Sequence, residues 1–287
     1  MILRLRTALL LTACSILIGI SGGVAFAADI AMDDPGLPAV SGPNGKLEAS
    51  AGWVDLDGLG DDEIFNGGIA FSFPVGDMFG IQADLAAVDA YSDTTVTGTL
   101  HAFTRDPNAY LFGVIGGYAD AGSTDAWFIG PEAELYLDNV SIELRGGYMD
   151  VNGSATLNGE AFAFGDIAYY ATDDVRLSIG ASSVAGFQSA NAGLEWFLGE
   201  QGLPGSLTLN GQVGEDGFTA VTAGFAVYFG GEDKSLIRRH REDDPRIFKL
   251  SIFDGATVVP SQLPPECEVE DPRPECNQLQ LTETDPL

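Results

Sequence analysis

The chain has 287 residues, 45% of them hydrophobic, and its 42 Asp and Glu against 13 Lys and Arg leave a formal net charge of −29. That balance excludes nucleic acid as a partner, since phosphate recognition needs clustered Lys and Arg. The apolar content excludes wholesale disorder, and the length fits one large β domain or two ordinary ones.

Residues 1–27 read as a secretory signal peptide. Arg4 and Arg6 form a basic n-region, residues 7–20 are apolar, and Ala25-Phe26-Ala27 fits a small-x-small cleavage site. Leu11-Thr12-Ala13-Cys14 also resembles a lipoprotein box, but cleavage there would leave a greasy stretch at the mature N-terminus, so cleavage after Ala27 is preferred. No later stretch has the roughly 18 apolar residues of a membrane helix, which leaves a soluble protein or a barrel. Residues 28–45, acidic and carrying Pro35, Pro38 and Pro43, form an extended lead-in.

From residue 46 the hydrophobic period is two, so that residues two apart share a face of a strand. Leu47, Ala49, Ala51 and Trp53 alternate with Lys46, Glu48 and Ser50; an acidic loop, 55–63, follows. The clearest hairpin comes next. Phe65, Ile69, Phe71, Phe73 and Val75, then Phe79, Ile81 and Leu85 beyond a Gly76-Asp77 turn, oppose Asn66, Ser72, Gln82 and Asp84. Val96, Leu100 and Ala102 oppose Thr95, Thr97, Thr99 and His101, whereas 109–118 is apolar on both parities and its faces cannot be assigned by period. Trp127, Ile129, Ala133, Leu135 and Leu137 oppose Phe128, Glu132, Glu134 and Tyr136, with Pro131 marking a bulge or break. After Asp138-Asn139, Ile142, Leu144 and Tyr148 oppose Ser141, Glu143 and Arg145. Further segments centred near 166, 178, 193, 210 and 225 repeat the scheme, with Asp166 and Arg176 on the polar parity. This predicts an all-β fold: a closed antiparallel up-and-down transmembrane barrel of about twelve strands over 46–229, an even count as single-chain bacterial barrels show.

Charge placement favours a membrane barrel over a soluble sandwich. The ionised side chains of the assignable strands fall on the polar parity, and a lipid-facing Arg or Lys costs about 2–4 kcal/mol at mid-bilayer. Aromatics near strand ends form two girdles, Trp53, Phe65, Trp127 and Tyr148 on one side, and Phe73, Phe79, Tyr169, Trp196 and Phe229 on the other. With both ends on the periplasmic side, the turns near 76, 106, 138 and 173 lie inside and short loops lie outside.

The signal peptide, the alternating strands and the final strand 220–229 (AVTAGFAVYF) together resemble a porin-type outer-membrane barrel of Gram-negative bacteria. The resemblance implies that Phe225, Val227 and Phe229 are read by the barrel-assembly machinery. It departs from the common form in that a tail, 230–287, continues past the closing aromatic.

The polar parity supplies the candidate lumen residues Asp84, Glu132, Glu134, Glu143, Arg145, Asp166 and Arg176. A two-residue turn at 138–139 sets Glu132 opposite Arg145 and Glu134 opposite Glu143; the second pair repels and needs relief from water, Arg176, a proton or a bound cation. A charged constriction selecting cations is one reading, and a polar filling of a closed barrel the other. Loop 55–63 lacks the EF-hand ligands where Leu59 and Asn66 stand, so it reads as a solvated acidic loop that can bridge to lipopolysaccharide through divalent cations. His101 is the one wall histidine and the only support for a lipid hydrolase.

In the tail, residues 234–241 (KSLIRRHR) read as a partly helical solvated segment, or as a contact with anionic envelope polymer or the barrel's own acidic mouth. Residues 247–259 read as one short strand, and the remainder as irregular periplasmic chain. Cys267 and Cys276 form a local disulfide in an exported compartment rather than a metal site. The expected protein is a monomeric, cofactor-free outer-membrane channel for ions or small solutes, mildly cation-preferring. A non-transporting structural barrel is the alternative.

Overall fold

The structure, a computed structural model, describes residues 37–122, 124–153, 159–199, 204–230, 234–243 and 246–248. The expected signal peptide, the Cys14 box, Cys267 and Cys276 lie outside the described residues. Twelve strands follow one another: β1 (Asn44–Leu56), β2 (Gly60–Val75), β3 (Phe79–Ala90), β4 (Asp93–Asp106), β5 (Tyr110–Ala121), β6 (Thr124–Leu137), β7 (Val140–Asn152), β8 (Glu160–Thr172), β9 (Val175–Val184), β10 (Phe187–Phe197), β11 (Gly205–Gly214) and β12 (Thr219–Gly230). A helix, α1 (Leu236–Glu242), comes after them. Each strand pairs antiparallel with the next, and β1 closes on β12 from Asn44↔Gly230 to Asp55↔Thr219. The barrel is closed and slightly longer than 46–229.

The alternation sorts as expected. Phe71, Phe73, Phe79, Ile81, Leu85, Leu100, Phe112, Ile129, Ile179, Leu207 and Phe225 point outward and are 45–63% exposed. So continuous an apolar surface belongs in lipid rather than water. All four cations between residues 44 and 230, Lys46, Arg105, Arg145 and Arg176, point inward. The girdle aromatics face outward at both ends. Ile179 is at mid-strand and 63% exposed. Ile179→Lys is therefore expected to lose about 2–4 kcal/mol in urea unfolding from lipid vesicles. Asn191→Lys, inside the lumen, should lose far less.

Three details refine the period-two reading. On β5, Tyr110, Phe112, Val114 and Tyr118 face out while Leu111 and Ile115, each 1% exposed, face in. Both faces are apolar because the lumen beside β5 is filled: Leu111 packs on Val40, Phe103 and Tyr136, and Ile115 joins a cluster with Phe128 and Phe248. Pro131 breaks the ladder without a bulge. It still pairs with Val114 on β5, and pairing with β7 lapses only between Ile129↔Tyr148 and Glu132↔Arg145, with the register unchanged. The loops are shorter than expected; Asp55 pairs with Asp61, which reduces the acidic loop to a tight turn at 57–59, and Asp62 accepts the Tyr91 N–H.

The largest correction concerns the tail. Residues 234–243 and 246–248 are packed against the inside of the barrel rather than solvated beyond it, with Leu236 at 0% and Phe248 at 3% exposure; for 234–241 the helix and the contact with the barrel's own acidic mouth are found, and the solvated reading is not. The short strand expected from 247 is absent at 247–248, and 249–259 lie outside the described residues.

Candidate functional site in the lumen

The lumen has three layers, starting from the mouth where β1 begins and β12 ends. At that mouth Tyr136, Tyr170, Phe197 and Tyr228 point inward, and α1 lies among them. Leu236 packs on Ala168, Tyr170, Phe197 and Ala226, and its N–H donates to Asp174 Oδ1 at 3.0 Å. The Arg239 guanidinium stands 5.1 and 5.4 Å from the rings of Phe197 and Tyr228, and that of Arg241 stands 5.1 and 5.8 Å from Tyr136 and Tyr170. Such cation–π contacts strengthen as water is excluded. Lys234 Nζ donates to Asp243 Oδ1 and Ser41 Oγ, both at 2.7 Å, tying the lead-in to the helix across the mouth. Burial alone would push the Glu242 carboxyl up; hydrogen bonds from Arg238 and Lys234 outweigh it and hold the carboxyl below its usual range. This part of the collar therefore stays ionised at neutral pH and weakens only as the pH falls through that lowered value.

The middle layer is a belt of polar side chains running across the strands. Ser72 Oγ donates to Gln82 Oε1 (2.7 Å), and Gln82 Nε2 to Asp84 Oδ1 (2.8 Å). His101 bridges Asp84 Oδ2 and Glu132 Oε2 at 3.0 and 2.9 Å. The Glu132 contact passes over β5 at Gly113, where a Cβ would stand 2.7 Å from Phe103 Cβ and 3.1 Å from Glu132 Oε1. Glycine there keeps the bridge open.

Glu132 lies opposite Arg145 and Glu134 opposite Glu143, the pairing that the two-residue turn predicts. Relief of the like-charged pair comes from several sides. Arg176 Nη2 meets Glu143 at 2.9 Å, Arg145 reaches Glu132 and Glu134 at 3.6 and 3.8 Å, and the Tyr136 hydroxyl donates to Glu134 at 2.9 Å. Arg246 of the tail adds contacts of 3.1 Å to Glu143 and 3.4 Å to Asp166. The structure thus places Asp84, Glu132, Glu134, Glu143, Arg145, Asp166 and Arg176 together on one inner wall. Arg246 escaped the sequence reading because a tail assigned to the periplasm offers no lumen partner.

The layer at the opposite mouth is apolar. Val54, Leu56, Ile64, Val88, Phe187 and Phe218 form one inward cluster; Ile115, Phe128, Met149 and Phe162 form another with Phe248. Between the layers, alongside β1 and β10–β12, remains a cavity of about 280 Å³ lined by Ser50, Asn191, Thr208, Asn210, Gln212 and Thr222 among others. These amides and hydroxyls share the lining with the charged Lys46, Glu48, Arg145, Asp166, Arg176, Glu195 and Arg246, so the cavity is both polar and ionised.

No family model matches the chain, and no curated protein matches it in sequence. Among solved structures, the KdgM porin in complex with disordered oligogalacturonate aligns with a TM-score of 0.50 at 9% identity, over 65% of this chain and 99% of that one. The two chains share the fold of a closed antiparallel barrel. Lower scores belong to an outer membrane channel from Pseudomonas putida F1 (0.47, 10% identity, 69% of this chain and 98% of that one) and to outer membrane phospholipase A from Escherichia coli (0.43, 14% identity, 65% and 92%). Inside this barrel both ring nitrogens of His101 lie against carboxylates. A doubly protonated ring would donate to both acids at once.

Proposed function

We propose that this porin-like barrel sits as a monomer in the bacterial outer membrane and passes ions and small solutes by diffusion through a narrow, mildly cation-preferring lumen. The observation that carries the reading is the polar cavity of about 280 Å³ enclosed by a wall whose outer face is oily. On the wall itself seven inward carboxylates (Glu48, Asp84, Glu132, Glu134, Glu143, Asp166 and Glu195) stand against four inward Lys and Arg, which supports the sign of the preference; Lys234, Arg239, Arg241 and Arg246 of the inserted segment offset much of that excess, which keeps the preference mild. The chain ends and the α1 mouth belong to the periplasmic side in this reading, and the acid-rich turns face out.

Full-length protein in planar bilayers under a KCl gradient is expected to carry a small current whose reversal potential is displaced toward that of K⁺. Arg145→Ala removes a cation from the belt and should displace it further. Unaltered conductance and selectivity in that variant contradict the constriction. Inserted protein that carries no current at all favours a structural, non-transporting barrel, a reading to which the filled lumen lends support.

A further inference from the structure

Residues 246–248 meet a set of sockets spaced for them. Arg246 Nη1 lies 3.1 Å from Glu143 Oε2 and 3.4 Å from Asp166 Oδ1. These two carboxylates stand directly opposite each other on β7 and β8, an arrangement that repels unless a cation joins it. Two residues on, the Phe248 ring is received by Phe128, Phe164 and Phe162 at centroid distances of 5.0, 5.3 and 5.9 Å, tilted or edge-on as aromatic pairs prefer. The Phe248 N–H donates to Asp84 Oδ2 at 3.1 Å. Ile247 packs on Ala70 and Ala86, inward side chains small enough to admit it.

We infer that the inner wall carries a peptide-binding site for a cationic residue followed two positions later by an aromatic one, that the chain's own Arg246-Ile247-Phe248 fills it, and that filling it plugs the channel. The inference rests on the channel reading above. Only residues 244 and 245 separate Asp243 from Arg246, so collar and plug act as one inserted unit, held at high local concentration by its own chain. The unit brings Lys234, Arg238, Arg239, Arg241 and Arg246 against Glu242 and Asp243 into an acid-rich lumen. Its withdrawal widens the path and uncovers Glu143 and Asp166 together.

The test uses the full chain. Arg246→Glu combined with Phe248→Ala leaves every wall residue in place and is expected to raise the conductance several-fold over the unaltered protein and to increase cation selectivity. A synthetic peptide of residues 244–250 (DPRIFKL) should block that variant again, and a scrambled peptide should not. Seating is read independently of current by Gly68→Cys with Ile247→Cys in a Cys267→Ser, Cys276→Ser background, joined by a short bis-methanethiosulfonate cross-linker that spans the gap left when Ile247 Cδ1, 3.2 Å from a Cβ at Gly68, is removed. Cross-linking should lock the small-current state and reduction should release it. Equal currents in the unaltered and variant proteins overturn the plug and leave the channel standing. A cross-link with no current in any variant overturns the channel reading, and the plug with it. Absence of the cross-link overturns the seating, and failure of the peptide to block overturns the recognition.

Discussion

His101→Leu is expected to be among the most damaging changes inside the wall, lowering stability by about 3–5 kcal/mol. The imidazole is 1% exposed and stands between Asp84 and Glu132 at 3.0 and 2.9 Å, with side-chain exposures of 0% and 1% for the two acids. Leucine fits the volume but removes both donors. Two buried carboxylates then lose the group that joins them, and part of the desolvation cost of each is exposed. Gln82 and Arg145 reach one acid each, so the loss is not complete. His101→Gln keeps one amide donor and should lose less than half as much. Urea titration followed by the heat-modifiable gel shift of the folded barrel gives both numbers. A leucine variant as stable as the parent would mean that the belt does not hold the wall together.

Gly130→Val is expected to prevent a folded barrel, a loss of about 4 kcal/mol or more. Pro131 has no N–H to give to β7, and at this point the two strands close in on each other. A Cβ on Gly130 would run into the Gly146 carbonyl oxygen and stand 2.7 Å from Gly147 Cα; one on Gly147 would run into the Ile129 carbonyl oxygen and stand 2.7 Å from Gly130 Cα. These neighbours are backbone atoms in a closed ladder and cannot rotate away. Gly67→Val is the matched control, because that glycine faces outward with nothing within 4 Å of the added carbon. It should fold normally and show the same gel shift as the parent.

Much of the wall was legible in the sequence for a simple reason: strand alternation is local, and one face had to be oily throughout. The pairing of Glu132 with Arg145 and of Glu134 with Glu143 followed from a two-residue turn at Asp138-Asn139, where Asp138 adopts φ 47° as such hairpin turns require. The contents of the lumen were not legible. Parity says that Phe128, Phe162, Phe187 and Phe218 share a face with polar residues; it does not say that they gather at one mouth. The segment IFKLSIF alternates well enough to read as a strand, and only three-dimensional closure reveals an aromatic box for Phe248 and an anionic pair for Arg246. The apolar inner face of β5, ambiguous by period, has the same explanation: Val40 and Phe248, from segments outside the strands, belong to the clusters it forms.

The central claim is that odd positions of a strand such as β11 meet lipid and even positions meet water. Spin labels placed singly at residues 206–213 in reconstituted protein test it through their collision rates with oxygen, which concentrates in lipid, and with a water-soluble nickel chelate. Leu207, Leu209 and Val213 are 48–55% exposed on the outer face, while Thr208, Asn210 and Gln212 line the cavity. The account predicts oxygen maxima at 207, 209, 211 and 213, and nickel maxima at 208, 210 and 212. A flat profile, or nickel maxima at the odd positions, would contradict it.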